Sequence, residues 1–339
     1  MDIEGRFNLI KRNTVEIVTE DEIKTLLKSK KKPAVYLGTA VTGRPHIGYF
    51  VWVLKLSDFL NAGFKVKLLL ADLHGALDNT PWEVLEKRYD YYTTVIPLMF
   101  KGIGTDVKNL EIVKGSDYQM SKEYYLDLLQ LTTIATVHDA TKAASEVVKM
   151  GDNPKLSGLV YPLMQALDEE YLKVDVQYGG LDQRKIMMFA REHLPKLGYK
   201  PRVEVMTPLI PGLVGKKMSA SDPKSKIDLL DDEQAVKTKI NGAEVVAGIV
   251  EGNGLLAFVK HVIMTIKSDR KERFIVERPE KYGGNLEFKT YEEIEQAYLT
   301  SKLHPLDLKN AVAREINVLL KPMRAESEKL QKLSDKAYS

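Results

Sequence analysis

Residues 35–48 read Val35-Tyr36-Leu37-Gly38-Thr39-Ala40-Val41-Thr42-Gly43-Arg44-Pro45-His46-Ile47-Gly48, and their interpretation decides the fold. A β-branched and aromatic run passes into a Thr/Gly/Pro turn, which opens onto an apolar helix with His46 at its start. Pro45 suits the edge of a helix, where its missing N–H costs nothing. Ile47, Phe50, Leu54 and Phe59 continue at roughly helical spacing. Strand, turn and helix with glycine at the approach point is how α/β proteins bring phosphates to helical N–H groups and the positive dipole end. The common phosphate loops are absent: neither G-x-G-x-x-G nor G-x-x-x-x-G-K followed by Ser or Thr occurs. A histidine stands at the phosphate end instead, and Gly48 leaves that face of the helix bare.

A second segment, Gly212-Leu213-Val214-Gly215-Lys216-Lys217-Met218-Ser219-Ala220-Ser221, is a glycine-bounded loop with two lysines and two hydroxyls. An ammonium beside hydroxyls can follow a polyphosphate as its charge moves. His-Ile-Gly followed much later by Lys-Met-Ser-x-Ser resembles the paired signature of class I aminoacyl-tRNA synthetases. A third group is more specific. Tyr161, Gln165 and Asp168 fall at i, i+4 and i+7, on one helix face, and Pro162 fits the first turn of that helix. Tyr171–Tyr178 reads as a buried strand with Leu172, Val174 and Val176 alternating. It ends in Gly179-Gly180-Leu181-Asp182-Gln183, before a helix from Arg184 to Leu194. This arrangement resembles the tyrosyl-tRNA synthetases of eukaryotes and archaea, and Gln165-Ala166-Leu167-Asp168-Glu169-Glu170-Tyr171-Leu172-Lys173-Val174-Asp175 looks eukaryotic. The resemblance runs from Ile10-Lys11-Arg12-Asn13 to His304-Pro305-Leu306-Asp307-Leu308-Lys309-Asn310.

The 339 residues suffice for two domains, and an apolar content of 44% fills their cores. A net charge of +3 makes no global polycation, so any RNA contact must use local basic surfaces. With no cysteine, disulfides, a thiolate nucleophile and Cys-ligated zinc are excluded. The six histidines are scattered, and no structural metal is expected. No apolar run reaches the roughly 18 residues of a membrane span, and Met1-Asp2-Ile3-Glu4-Gly5-Arg6 is no signal peptide, so a cytoplasmic protein is expected.

Helical patterning marks residues 1–32. From 33 to about 228 buried strands alternate with amphipathic helices: Ala34–Gly38, Phe64–Ala71, Leu110–Val113 and the 171–178 run. Such alternation predicts an α/β fold, a Rossmann-like doubly wound parallel sheet with ligands beyond the carboxyl ends of its strands. Tyr36, Asp72, His74, Tyr118, Gln119 and Asp182 are expected at or beyond those ends. Residues 119–160 read as a helical insertion. After Leu230-Asp231-Asp232-Glu233-Gln234, a capped helix start, residues 229–339 read as mostly helical without further strand–helix alternation.

The resemblance implies a reaction and its residues. Tyrosine would be activated with ATP to tyrosyl-adenylate and pyrophosphate, then transferred to the terminal adenosine of tRNA(Tyr). Activation is mainly alignment and charge stabilisation. His46, Lys217 and the helix N–H groups after Pro45 would supply it, with Ser219 and Ser221 holding the loop; Lys216 is a bystander. Gly38, Gly48, Gly180, Asp182 and Met218 join His46 and Lys217 on the ATP side, with Gly48 and Gly180 giving adenosine close approach and Asp182 accepting from ribose. Mg²⁺ would accompany ATP on its phosphates. Tyr36 and Asp168 would bind the phenol hydroxyl, Tyr161, Gln165 and Gln183 the α-amino group, and His74 and Gln119 are further pocket candidates. Discrimination against phenylalanine of about 10⁵ follows when buried polar partners are stranded, a magnitude for which this activity is itself the known case. Asp307 would accept from the first anticodon base and Tyr282 stack on it. The insertion would carry a homodimer contact, including Leu131 to Met150, and part of the acceptor-stem contact, and the C-terminal helices an anticodon-binding domain.

Departures from the family are few. Tyr49 replaces the last histidine of the His-Ile-Gly-His form, Ala220 the central residue of the loop motif, and Gly75-Ala76 the usual Ala-Tyr. Glu86-Lys87-Arg88 stands for a Glu-Leu-Arg associated with signalling in vertebrate relatives, whose appended C-terminal domain this sequence does not show, so no signalling is expected. Tryptophanyl-tRNA synthetase is the nearest alternative, disfavoured because Asp168 would face an indole. A small-molecule nucleotidyltransferase would not need residues 231–339, and a non-catalytic tRNA-binding protein would not need the full pocket set.

Overall fold

The computed structural model describes residues 1–148, 151–212, 226–243 and 245–338. Six strands form the main sheet: β1 (Glu16–Val18), β2 (Ala34–Ala40), β3 (Lys65–Ala71), β4 (Leu110–Lys114), β5 (Val176–Gly180) and β6 (Val203–Thr207). Their spatial order is β1-β6-β5-β2-β3-β4, parallel throughout except that β1 runs antiparallel to β6. The chain winds outward from β2 to β4 and returns on the other side with β5 and β6. The order therefore reverses between β2 and β5, where a doubly wound sheet opens its ligand crevice. Burial on both faces explains the apolar runs: the last four residues of β3, Leu68 to Ala71, are all buried.

Several expectations need correction. Residues 1–32 are not only helical: β1 lies between the helices Ile3–Lys11 and Glu20–Ser29 and closes one edge of the sheet. No strand starts at Tyr171. The helix Leu156–Tyr171 ends there, Lys173 turns left-handed at φ 53°, and β5 begins only at Val176. The alternating Leu172 and Val174 are buried from this turn. A left-handed lysine is not a strand residue, and Asp175 fixes the turn by accepting from the Ala34 N–H at 2.8 Å. Pro162 lies inside the helix, which begins six residues earlier, where Ser157 Oγ donates to Leu77 C=O at 2.9 Å. Packing against that neighbouring segment overrides the first-turn preference of proline. The strand β6 was missed altogether. Its central Glu204 hides it in an otherwise Val/Met run, yet all five residues are buried.

The insertion contains the helices Lys122–Ile134 and Val137–Ala144. They pack with the helices Leu156–Tyr171 and Arg184–His193 in a second apolar core separate from the main one. Beyond Asp232, whose side chain caps the helix Glu233–Asn241 at Ala235 N (2.7 Å), the chain is mostly helical. One exception is a hairpin of β7 (Phe274–Val276) and β8 (Leu286–Phe288). The helices Pro305–Ala325 and Ser327–Tyr338 pack on Leu85–Ile103 of the α/β part, so both parts share one continuous core.

Candidate active site

At the reversal between β2 and β5 lies a cavity of about 430 Å³. It is lined by β2 from Tyr36 to Ala40, by His46 and Gly48, by His74, by Tyr161, Gln165 and Asp168 of the helix Leu156–Tyr171, and by Gly180, Asp182 and Gln183 after β5. Those predicted residues are brought together. Gln119 is buried directly behind them, hydrogen-bonded to Asp168. Tyr36 departs from the expected strand end: it is the third residue of β2, wholly buried on the cavity floor, and its hydroxyl donates to Gln165 C=O at 3.2 Å. Lys217, Met218, Ser219 and Ser221, with Lys216 and Ala220, lie outside the described residues.

Asp168 is the electrostatic centre of the pocket. Its Oδ1 accepts from Tyr118 Oη at 2.8 Å, Gln119 Nε2 at 2.8 Å and Tyr124 Oη at 3.0 Å. Its Oδ2 has no hydrogen-bond donor among the described residues. The carboxyl is wholly buried, and this desolvation pushes it up to about 7 against the opposing pull of the three donors. His74 Nε2 stands 3.9 Å from that free oxygen and likewise lacks a hydrogen-bond partner among the described residues. Burial lowers His74 to about 4, so its ring is neutral near pH 7. Gln165 Nε2 donates to Gln183 Oε1 at 3.1 Å, which joins the helix face to the β5 exit. Sequence reasoning put Tyr118 near the strand ends without giving it a contact, and missed Tyr124. No local pattern marks them: they reach Asp168 from helices 50 and 44 residues away.

His46 caps the short helical turn Ile47–Tyr49, from which the helix Phe50–Asn61 continues. Its Nδ1 accepts from Gly48 N–H at 3.2 Å, so the ring proton resides on Nε2. Burial holds His46 at about 4, with Lys226 adding to the effect, and the ring is therefore a neutral donor. The helix N–H groups after Pro45 do not fill the role the sequence suggested. Ile47 N–H donates to Ile227 C=O at 3.1 Å, Gly48 N–H to His46 Nδ1, and Tyr49 N–H to His46 C=O at 2.9 Å. The first three amides are spent within the protein, which leaves His46 Nε2–H as the donor at this helix start. Tyr49, the substituted position, packs edge-on to His46 with ring centroids 5.1 Å apart. Gly180 has a tighter reason to be glycine than ligand access alone: a Cβ there would sit 2.7 Å from Asp182 Oδ1 and 3.0 Å from Leu209 Cδ2.

The family model described as tRNA synthetases class I (W and Y) matches residues 28–321. The chain belongs to this family. It is 49% identical over 337 residues to the cytoplasmic tyrosine–tRNA ligase of Gallus gallus, covering 98% of this chain and 63% of that one. With the cytoplasmic tyrosine–tRNA ligase of Saccharomyces cerevisiae it shares 48% identity over 349 residues, covering 100% of this chain and 89% of the relative. The chain spans about 63% of the length of these vertebrate relatives. Among solved structures it resembles the tyrosyl-tRNA synthetase of Archaeoglobus fulgidus complexed with L-tyrosine, with a TM-score of 0.89 at 40% identity. That match covers 96% of this chain and 100% of the other. The tryptophanyl-tRNA synthetase of Aeropyrum pernix shares the fold alone, at TM-score 0.70 and 17% identity.

The two residues assigned to RNA lie far from this cavity in sequence. Tyr282 sits in the β7–β8 connection, 63% exposed, with Lys281 Nζ 4.9 Å from its ring centroid. Asp307 is in the first turn of Pro305–Ala325, but the cap is His304, whose Nδ1 accepts from Leu306 N–H at 3.2 Å. The acidic side chain is thus not consumed as the cap.

Proposed function

We propose that this chain is a tyrosine–tRNA ligase, which forms tyrosyl-adenylate from tyrosine and ATP and then charges the 3′ adenosine of tRNA(Tyr). One observation carries the amino-acid choice: a wholly buried Asp168 that spends one carboxylate oxygen on three donors and keeps the other free in the cavity. A buried free acceptor asks for a hydrogen-bond donor from the ligand. A tyrosine phenol meets it, with Tyr36 beside it; an indole N–H is also a donor, and the 48–49% identity to tyrosine–tRNA ligases is what favours the phenol. Tyr161, Gln165 and Gln183, which line the same cavity, would take the α-amino group.

The substrate carboxylate then attacks the α-phosphate, the bond to the β-phosphate breaks, and pyrophosphate leaves. Holding the two reactants in line is the main catalytic work. His46 Nε2–H would donate to a phosphate oxygen as charge moves outward, assisted by Lys217, Ser219 and Ser221 from the second signature. Gly38, Gly48 and Met218 would border the nucleotide, and Asp182 would accept from ribose. Among the described residues no three His, Asp or Glu side chains converge to hold a metal, and we read Mg²⁺ as arriving on the ATP phosphates. Residues 33–228 would form the catalytic domain and 229–339, with Tyr282 and Asp307, the anticodon-binding domain; 1–32 precede them. We read the protein as cytoplasmic, a reading supported by the names of its vertebrate and yeast relatives.

A homodimer is part of the proposal. Leu131, Ala140, Ala143 and Ala144, from the segment the sequence suggested, are buried inside the protomer's own second core. Met120, Tyr125, Leu126, Leu129 and Val137 are exposed instead, an apolar surface on the insertion. The test of the activity is ATP–pyrophosphate exchange with each of the twenty amino acids, followed by charging of tRNA(Tyr). Exchange dependent on tyrosine alone is expected; exchange driven by tryptophan, or none, overturns the assignment.

A further inference from the structure

The segment Ile227-Asp228-Leu229 is buried, at 0%, 5% and 0% exposure, although it joins the α/β sheet to the C-terminal helices. It is fastened to the His46 turn on two sides. Through the backbone, Asp228 pairs with His46 in an isolated antiparallel bridge, and Ile47 N–H donates to Ile227 C=O at 3.1 Å. Through side chains, Arg44 Nε stands 3.2 Å from Asp228 Oδ2, an ion pair by charge and distance without hydrogen-bond geometry. Asp228 Oδ1 accepts from Leu230 N–H at 3.1 Å, which fixes the carboxylate in place. On its far side the segment is held by the C-terminal helices. Asp231 Oδ2 accepts from Asp228 N–H at 2.8 Å, and Asp231 C=O accepts from Arg324 Nε and Nη2 at 3.1 and 3.0 Å.

We propose that Asp228 and Arg44 are positioning residues for adenylate formation: their ion pair holds the turn carrying His46 against the C-terminal helices, so that the imidazole Nε2–H keeps its aim. This rests on the reading of His46 as a phosphate donor. The physical reason is the preceding residue. Pro45 lacks an N–H to anchor the turn, and the His46 ring is itself tied into the backbone through Nδ1, so any tilt of the turn moves Nε2 with it. Neither Arg44 nor Asp228 is itself required to touch a substrate. A misplacement of about 1 Å in an aligned site costs on the order of 100-fold in rate.

The experiment compares Asp228→Asn, Arg44→Gln, the double variant and Arg44→Lys by tyrosine-dependent pyrophosphate exchange, normalised to active sites by adenylate burst, with tyrosine affinity measured separately. Asp228→Asn keeps the acceptor for Leu230 N–H and removes only the charge. Each single variant is expected to lose about 10- to 100-fold in kcat while tyrosine binding stays within about twofold. The double variant should be no worse than the poorer single, since both remove one contact. Arg44→Lys, which keeps the cation, should recover most of the rate. Full kcat per active site in Asp228→Asn, additive losses in the double variant, or an Arg44→Lys as poor as Arg44→Gln would each overturn the inference. A wild-type protein without tyrosine-dependent exchange would instead overturn the activity on which it rests.

Discussion

At the scale of single residues, two protonation states set the chemistry. His46 is held neutral by burial, at about 4, with Nδ1 occupied by Gly48 N–H. Its donor capacity is therefore unchanged across neutral pH, and the pH profile of exchange should show no step near the ordinary histidine value of about 6.5 attributable to it. His46→Ala should lower kcat for adenylate formation by about 100- to 1,000-fold, the usual loss for a transition-state donor, with tyrosine affinity preserved. A step near 6.5 that vanishes in the variant would contradict the neutral donor. Asp168 calls for a subtler substitution than alanine, which would strand Tyr118, Gln119 and Tyr124 in the core. Asp168→Asn keeps an acceptor for these three and puts an N–H where the free Oδ2 stood. The tyrosine-to-phenylalanine ratio in kcat/KM should fall by about tenfold to a hundredfold, equivalent to one charged hydrogen bond of roughly 1.5–3 kcal/mol. The KM for ATP should stay within a few fold. Equal losses for both amino acids in exchange kinetics would refute the specificity role.

At the scale of elements, the sheet beneath the pocket carries buried acid. Tyr36 of β2, Gln177 of β5 and Glu204 of β6 are paired in register, so they project to the same face. Glu169 of the helix Leu156–Tyr171 adds a second carboxyl there. Burial raises Glu169 and Glu204, with Asp168 and Glu170 adding to the rise of Glu169 and Glu169 to that of Glu204, while Arg191 and Arg202 pull both back down. None of the four carboxyl oxygens has a hydrogen-bond partner among the described residues. Folded-state values above the unfolded one, about 4.3 for glutamate, mean that the folded protein binds the proton more tightly. That contribution to stability is fully present below about pH 4 and is lost as pH rises through the raised values. Glu204→Gln should therefore gain stability relative to the wild type as pH rises from about 5.5 to about 8.5. Paired thermal melts at several pH values check this; a constant difference across the range would show that Glu204 does not titrate with folding.

At the scale of the whole molecule, the C-terminal helices are bolted to the catalytic side. Arg12 joins Asp58 of the helix after His46 to Asp269 of the C-terminal part, the latter at 2.6 Å. Tyr338 Oη donates to Gly43 C=O at 3.1 Å, inside the first signature. The helix Pro305–Ala325 runs 21 residues, about 30 Å, from Asp307 at one end to Arg324 at the other. The proposed anticodon contact and the Asp228 segment thus sit at opposite ends of one rigid element. The apolar surface of the insertion belongs to this scale too. Leu129→Glu combined with Val137→Glu removes two exposed apolar residues from a surface they do not hold together internally. The pair is expected to convert a dimer to a folded monomer in light scattering at micromolar concentration. A wild type that is already monomeric, or a double variant that stays dimeric, would place the interface elsewhere or remove it.

Local pattern determined much of this protein without help. The β2 run, the Thr/Gly/Pro turn, the helical face of Tyr161, Gln165 and Asp168, and the glycine-rich exit of β5 are contiguous or periodic, and such features depend on nearest neighbours and side-chain spacing. They were enough to predict the doubly wound sheet and to gather most of the cavity's lining. Tertiary structure decided the rest, because the deciding partners are distant in the chain. The left-handed Lys173, anchored nearby by Asp175, ended a helix where alternation suggested a strand. Glu204 sits in a fully buried β6 that polarity disguised. Tyr118 and Tyr124 converge on Asp168 from another segment and leave it one free oxygen. Most tellingly, the amides at the helix start look open to phosphate in the sequence, and it is Ile227, 180 residues downstream of Ile47, that closes the first of them. A backbone donor is satisfied by whichever acceptor the fold brings near, and nothing in the local sequence records which one that will be.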